Sequence, residues 1–410
     1  MTLKKTLGLG LAALAAVALA GCATSDDGAD GGPVELSVLT GFTGSDRPAY
    51  EALIEEFNAT HPEIQVVMDI QPWDSIAQTL PAAWASGQGP DIATPSYDPN
   101  VMFQYVKNGS ALSLDDSGID MTAFPEAVTS AFTSEGAVYA VPANMADMAL
   151  FYNVELLEAA GVEVPATTEE LAEAARTLTA ADGSVSGFAI PDNGFTLGWT
   201  VLQWSNGGDI LDEDSCSALE SPENLEVFTT WGELISKDGV SPAGLDAPAA
   251  ENLFSTGKAA MIVGGPWLVQ TFTNAGIDFG ITTMPEGSAG PVTAISTVPF
   301  MVSAKSAHPE EAATFLEWWT GQTAQEQFVT DSGFPPVRTD MPDVANGNEL
   351  LTPFLEGLPT GRLVLPGVAE ASQITSDAYV PMLGKISRGE DPAAAAAEAG
   401  QTINALTGCE

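Results

Sequence analysis

Residues 139–171 read YAVPANMADMALFYNVELLEAAGVEVPATTEEL, and the rest of the chain is best understood from this stretch. The apolar run at 149–152 has the length and aromatic content of a buried strand. Asn153 is placed to cap a helix over residues 154–160. Gly161 then permits the left-handed conformation that commonly ends a helix. The stretch therefore predicts a strand that leads directly into a helix.

A second helix is predicted immediately afterwards. Thr167 or Thr168 with Glu170 forms a cap signal for a helix over residues 169–177. The whole pattern, YAVPxNxxxxxLFYNxELLxxAGVxxPxTxEEL, resembles the extracellular solute-binding proteins of ABC sugar importers, in particular the maltose- and multiple-sugar-binding lipoproteins. The alternative is an ordinary strand-helix unit of another α/β protein.

The N-terminal third carries further motifs in a matching order. VELSVLT at 34–40, a helix over 49–57 and the strand EIQVVMDI at 63–70 form a βαβ unit. The family resemblance extends to EFNxxxPxIxV, which begins at Glu56, and to the GxGPDI turn at 87–92. Each motif alone is weak, but their order along the chain is specific.

The resemblance implies a fold and a domain division. The fold is α/β, of the type II periplasmic-binding-protein class, with two α/β lobes joined by a hinge that the chain crosses three times. The implied N-terminal lobe comprises residues 34–145 and 296–334. The implied C-terminal lobe comprises residues 146–295 and 335–410.

The N terminus indicates export. Residues 1–21 combine Lys4 and Lys5 with an apolar core, and LAGC ends at Cys22, as in a lipoprotein signal peptide. We expect residues 22–33 to be a lipidated cysteine followed by a flexible tether. We expect the protein to be anchored by lipid to the outer face of the cytoplasmic membrane of a bacterium. An exported protein without lipid is the alternative.

Charge and cysteine content limit the partners. The chain has a formal net charge of −43, which argues against binding to nucleic acid. After Cys22, the remaining cysteines are Cys216 and Cys409, and such a pair in an exported protein favours one disulfide bond. The sequence has no cysteine and histidine cluster for a metal, and we expect no cofactor. The expected protein is a monomer.

Candidate ligand-binding residues follow from two arguments. Open α/β sheets bind ligands in loops at the carboxyl ends of their strands, and sugars are bound by aromatic rings, amides and carboxylates. In the first lobe these rules select Phe42, Thr43, Trp73, Tyr97 and Asp98. The second lobe and the crossings, matched by resemblance or position, add Asn144, Trp199, Trp267 in a Gly-Pro-Trp turn, Arg338 and Gln373. Core packing is the alternative for Trp199 and Trp267, and an acidic partner is the alternative for Arg338.

Binding without catalysis is the expected function. His61 and His308 each precede a proline and belong to no Ser/His/Asp pattern, and no pair of carboxylates stands out for glycoside cleavage. The resemblance implies capture of a mono- or oligosaccharide between the lobes. Delivery would be to the transmembrane subunits of an ABC permease, with only indirect contact to its ATPase subunit. Polyamine, peptide or polyol binding, an anchored glycosidase and a surface adhesin remain alternatives.

Overall fold

The computed structural model describes residues 32–44, 46–341, 344 and 348–409. The expected signal peptide, Cys22 and nearly all of the tether lie outside the described residues. From Pro33 onward the chain forms one compact unit.

The strands are mostly short, and the longest, β10, is also one of those that cross between the lobes. Their bounds are β1 Val34–Thr40, β2 Ile64–Ile70, β3 Ile92–Ala93, β4 Thr133–Ser134, β5 Ala137–Val138, β6 Val141–Asp147, β7 Ala149–Asn153, β8 Met261–Gly264, β9 Phe279–Thr282, β10 Thr293–Val302 and β11 Gly361–Arg362.

The α-helices bury one apolar face against the sheets or against each other. Their bounds are α1 Arg47–Thr60, α2 Trp73–Ser86, α3 Met102–Lys107, α4 Glu126–Ala131, α5 Val154–Ala160, α6 Thr168–Leu178, α7 Leu197–Ser205, α8 Pro222–Ser236, α9 Ala247–Ser255, α10 Trp267–Ala275, α11 Pro309–Trp319, α12 Gln322–Ser332, α13 Thr352–Gly357, α14 Ala371–Gln373, α15 Val380–Ser387 and α16 Pro392–Thr407. A π-helix, Ile374–Tyr379, joins α14 to α15.

The first lobe is built on a mixed sheet in which β10, β3, β1 and β2 lie side by side in that order, and β6 also pairs with β10. β11 pairs with residues 293–294 at the start of β10, on the side of the second lobe. β1 runs parallel to β2 and β3, whereas β10 runs antiparallel to β3. A continuous core packs on this sheet and includes Leu36, Tyr50 and Trp319, each with no exposed surface. The carboxyl ends of the parallel strands meet at one edge, so the loops that follow them lie together.

The second lobe contains a three-stranded antiparallel sheet with order β8-β7-β9. One hydrophobic core on this lobe includes Trp199, Phe228 and Tyr379, and a smaller core is centred on Phe151 and Phe272. Helices from the C-terminal end of the chain complete the larger core. The molecule is therefore α/β with two lobes, as the sequence predicted.

Two strands cross side by side between the lobes. β6 pairs antiparallel with β10, and the register shifts between Val298 and Pro299. Ala146 belongs to the first core and Met148 to the second, although only Asp147 separates them. Such paired strands between two cores are a suitable hinge, since small backbone changes there reorient whole lobes.

The helix ends that follow the first crossing strand are formed by the residues that the sequence predicted. The side chain of Asn153 accepts a hydrogen bond from the amide of Leu156 (2.9 Å), and Gly161 ends α5 with a φ of 66°. Thr167 and Glu170 form a complete capping box for α6. Residues 187–190 read GFAI, a short apolar run typical of a strand, but they form no regular strand. Ala189 makes an isolated bridge to Ile262, and Ser186, just before the run, makes one to Ala259.

Cys216 and Cys409 are joined by a disulfide bond, with their Cα atoms 5.4 Å apart. Beside the bond, the amide of Ser217 donates to the Asn404 side chain over 2.7 Å. The bond therefore ties the C-terminal helix α16 to the loop that precedes α8.

Asp147 is a buried carboxylic acid on the crossing strand β6. It has no exposed surface, and neither oxygen has a hydrogen-bond partner elsewhere in the described part of the chain. Gly357 lies so close that a Cβ there would be 2.4 Å from one carboxyl oxygen. Burial raises the pKa of Asp147 well above its ordinary value, and a contact with its own backbone amide only partly opposes this.

We expect Asp147→Asn to raise the free energy of unfolding by about 1–3 kcal/mol at pH 7. The raised pKa means that the folded state favours the neutral acid. The free energy of unfolding of the wild-type protein is therefore highest below about pH 4, where the acid is neutral in both states, and it falls as the pH rises toward the folded-state pKa. The gain from the substitution should therefore shrink at pH 4. Urea denaturation at pH 7 and pH 4 measures the difference in free energy of unfolding between variant and wild type. Asp278→Asn, at an exposed position, is the control. An equal gain at both pH values would contradict this account.

Candidate functional site

A cavity of about 280 Å³ lies at the junction of the lobes and is here called the interlobe cavity. It is bounded by the start of α1 in the first lobe, by α10 in the second and by the end of α12. Its lining residues are Asp46, Pro48, Ala49, Pro266, Trp267, Gln270, Asn274, Asp331 and Ser332. A wall contributed by both lobes is the arrangement that allows a ligand to hold them together.

Trp267 is the central aromatic residue of this region. It begins α10 directly after Pro266, and its half-buried ring packs at the edge of all three hydrophobic cores. The ring is perpendicular to that of Phe195, with 6.2 Å between centroids, and lies 6.4 Å from that of Phe334. These contacts fix the ring at the border between the lobes.

The same face of α10 supplies amide groups. Gln270 and Asn274 follow Trp267 at spacings of three and seven residues, which places all three on one side of the helix. The Gln270 side chain donates to that of Asn274 over 2.8 Å. Amides next to an aromatic ring are the combination that binds hydroxyl groups on a ligand with flat C–H faces.

Asp46 connects the interlobe cavity to the hinge. The buried Tyr50 hydroxyl donates to the Asp46 carboxylate and accepts a 2.5 Å hydrogen bond from the side chain of Asn144 on β6. The Asn144 carbonyl accepts in turn from Thr297 on β10 (2.9 Å). Burial raises the pKa of Asp46, partly offset by its backbone and Tyr50 hydrogen bonds. A chain of hydrogen bonds thus runs from the cavity wall to both crossing strands.

A smaller recess of about 60 Å³ lies within the second lobe, here called the second-lobe recess. Trp267 lines it as well as the interlobe cavity. The other lining residues are Pro191, Phe195, Ala247, Glu251, Ile262, Val263, Gly264 and Leu268. The walls are apolar except for Glu251, whose pKa is raised to about 7 by burial.

The structure brings together the candidates on the sheet edge of the first lobe. Trp73 covers Gly41 and makes edge-to-face contacts with Phe42 (6.0 Å) and Tyr97 (5.9 Å). Tyr97 is 58% exposed, and Thr43 is also exposed. Trp73 and Tyr97 therefore present a pair of rings at the loops selected from the sequence.

Asp98 and Gln373 lie where the first lobe meets the C-terminal segment. Asp98 accepts hydrogen bonds from Asn100 and, over 2.9 Å, from the Ser372 hydroxyl. Gln373, the neighbour of Ser372, is exposed. The carboxylate of Asp98 is thus occupied in holding two parts of the chain together in this structure.

Trp267 is the one sequence candidate among the residues that line the two described openings, and four of the others are buried or paired within the protein. Phe42 is buried and stacked on Tyr50 at 3.8 Å. Asn144 is buried against the same tyrosine. Trp199 has no exposed surface and belongs to the second-lobe core, which corrects its proposed place in the cleft. Arg338 forms a two-pronged ion pair with Asp340 and also donates to the Thr320 carbonyl.

Sequence reasoning missed Asp46, Gln270, Asn274 and Glu251. Trp267 was expected in a turn, whereas it is the first residue of a helix. Continuing the helical period from Trp267 would have selected Gln270 and Asn274. The approach of α9 to Trp267 is a long-range contact, so no local signal marked Glu251.

Two kinds of feature are absent from the described residues. Within the described residues, no helix combines the length and the apolar character needed to cross a membrane. The same part of the chain contains no group of three or more His, Cys, Asp or Glu residues placed to hold a metal ion. The openings are lined by groups suited to hydrogen bonding and aromatic contact.

Comparison with known proteins gives consistent similarities. A binding protein of Brucella abortus is 28% identical over 391 residues, which cover 92% of this chain and 93% of that protein. The maltooligosaccharide ABC transporter solute-binding lipoprotein of Streptococcus pneumoniae is 25% identical, with coverage of 97% and 96%. The crystal structure of the GacH receptor of Streptomyces glaucescens, studied unliganded and with acarbose, superimposes with a TM-score of 0.82 at 24% identity, covering 91% of this chain and 98% of that one.

The fold of the GacH receptor is therefore the fold of this chain, two α/β lobes with a crossing hinge. The family model for bacterial extracellular solute-binding proteins matches residues 43–326, which is more than half of the chain. This protein belongs to the bacterial extracellular solute-binding protein family.

Proposed function

We propose that this protein binds an oligosaccharide between its lobes and delivers it to the transmembrane subunits of an ABC importer. The observation that carries the proposal is the position of Trp267, whose ring lines an opening walled by both lobes. The relatives support it, since one is named for maltooligosaccharide and a structural neighbour was studied with acarbose.

The chemistry of the lining residues fits a saccharide. An aromatic ring stacks on the C–H face of a sugar, while Gln270 and Asn274 can donate to and accept from its hydroxyl groups. Asp46 adds a carboxylate acceptor from the first lobe. The rings of Trp73 and Tyr97 would extend the surface for a longer ligand. Of the other sequence candidates, Thr43 and Gln373 are exposed and remain part of this proposal.

Closure of the lobes would transmit the binding event. We take the moving bodies to be residues 34–145 with 296–334, and residues 146–295 with 335–410. A ligand that touches Asp46 in one lobe and Trp267 in the other interacts more strongly with the closed state, and this difference shifts the population toward it. The permease would then recognise the closed form of a monomer.

Anchoring to the membrane belongs to the same proposal. Cleavage before Cys22 would leave a lipidated cysteine at the end of a short tether, which would hold the protein at the outer face of the cytoplasmic membrane. The protein would then act close to its permease.

A thermal-shift screen of residues 23–410 tests this function. A saccharide present at about 100 times its dissociation constant should stabilise the folded protein by about 2.7 kcal/mol and raise Tm measurably. The panel comprises maltose, maltotriose, a galactooligosaccharide, spermidine and a tripeptide. A rise only with spermidine or the tripeptide would overturn the sugar proposal.

A further inference from the structure

We infer that Glu251 is a specificity-determining residue that accepts a hydrogen bond from a terminal hydroxymethyl group of the saccharide in the second-lobe recess. The inference rests on the proposed function and names one contact of its ligand. It follows from the position of this carboxylate, the walls around it and the size of the space in front of it.

The carboxylate of Glu251 is partly removed from water without gaining a hydrogen bond or an ion pair from the described residues. It lies half-buried on α9, and among the described residues it has no hydrogen-bond or ion-pair partner. The surrounding walls are the rings of Phe195 and Trp267 and the side chains of Ile262 and Leu268. A desolvated acceptor of this kind gains more from a hydrogen-bond donor than an acceptor in water does.

The two neighbouring acids do not line the second-lobe recess, and each accepts a hydrogen bond from a backbone amide, although the second oxygen of Asp192 is buried without a partner in the described part of the chain. Asp192, on the segment that carries Phe195, accepts a hydrogen bond from the Gly244 amide over 3.0 Å. Asp246, which caps α9, accepts from the Ala249 amide over 2.9 Å. No charged side chain other than Glu251 is among the residues that line the second-lobe recess. The Glu251 carboxylate is therefore available to accept a hydrogen bond from a ligand.

The volume and the apolar walls of the second-lobe recess limit which hydrogen-bond donor of a ligand can reach Glu251. A volume of about 60 Å³ admits a group of a few non-hydrogen atoms and excludes a whole sugar ring. Apolar walls with one acceptor suit a CH₂ group that ends in a hydroxyl. Because Trp267 lines both openings, a sugar stacked on its ring would lie next to the second-lobe recess.

Calorimetric titration with maltotriose, and with analogues that carry a 6-deoxy unit at either end, tests the inference. At about pH 8.5, above the raised pKa of Glu251 of about 7, we expect wild-type protein to bind one analogue about tenfold more weakly than maltotriose, since the lost hydrogen bond then involves an ionised group. Glu251→Ala should lose about the same factor for maltotriose and should no longer distinguish that analogue. Glu251→Gln, which can still accept, should lose less. Glu173→Gln, on the exposed face of α6, should match wild type.

The outcomes separate this inference from the proposed function. Unchanged maltotriose affinity in Glu251→Ala would overturn the inference and leave the proposed function intact. Equal discrimination of the analogues by Glu251→Ala and wild type would also overturn it. If wild-type protein binds no maltotriose, the inference fails in this form, and the remaining sugars of the panel decide the proposed function. A Tm for Glu251→Ala at or above wild type shows that the residue is not needed for folding.

Discussion

Trp267→Ala should weaken saccharide binding by about 30- to 150-fold, which corresponds to about 2–3 kcal/mol. The substitution removes the stacking surface and opens the wall shared by the interlobe cavity and the second-lobe recess. The helix itself should persist, because alanine favours helix formation and Leu268 and Phe272 still anchor α10 in the core. Calorimetric titration with maltotriose measures the effect.

The matched control for this prediction is Trp318→Ala. Trp318 is also half-buried, but it packs against Phe57 (5.3 Å) in the first lobe and lines neither opening. The Trp318→Ala substitution should lower the free energy of unfolding without changing saccharide affinity. Trp267→Phe, which keeps a smaller ring, should retain part of the binding energy. Equal affinity in Trp267→Ala and wild type would exclude Trp267 as the stacking surface.

Loss of the Cys216–Cys409 bond should lower the free energy of unfolding by about 3–5 kcal/mol, because the bond closes a loop of 193 residues in the unfolded chain. The folded state should also be affected locally, since the bond anchors α16, whose Ile403 is fully buried in the second-lobe core. Guanidinium denaturation of the variant with both cysteines changed to serine measures the loss.

Reduction of the wild-type protein with dithiothreitol provides the control for this second prediction. It should reproduce the stability of the double-serine variant, whereas dithiothreitol should leave that variant unchanged. If neither reduction nor the substitutions lower the unfolding midpoint, the two cysteines do not form a stabilising bond in solution.

Much of the fold was accessible from sequence because its signals are local. The expected helix over residues 154–160 coincides with α5, since Asn153 and Gly161 define both ends through their own side-chain and backbone chemistry. The capping box at Thr167 defines the start of α6 in the same way. The α/β class and the two lobes followed from the order of such elements together with the family resemblance.

The site was less accessible because it depends on contacts between distant parts of the chain. Nothing near Asn144 indicates that its side chain binds Tyr50, 94 residues away, instead of a ligand. The family resemblance matched Trp199 to the cleft with core packing as the alternative, and tertiary packing places its ring in the core. Glu251 acquires its environment only when Phe195 and Trp267 enclose it. Residue type alone could not distinguish these cases.

The central claim is that two lobes close on an intact saccharide. Small-angle scattering of residues 23–410, with and without the sugar that gives the largest rise in Tm, tests this claim most directly when the sugar is recovered and analysed afterwards. The account predicts a smaller radius of gyration in the presence of the sugar and recovery of the sugar unchanged. An unchanged radius of gyration at saturation, or recovery of hydrolysed sugar, would contradict it.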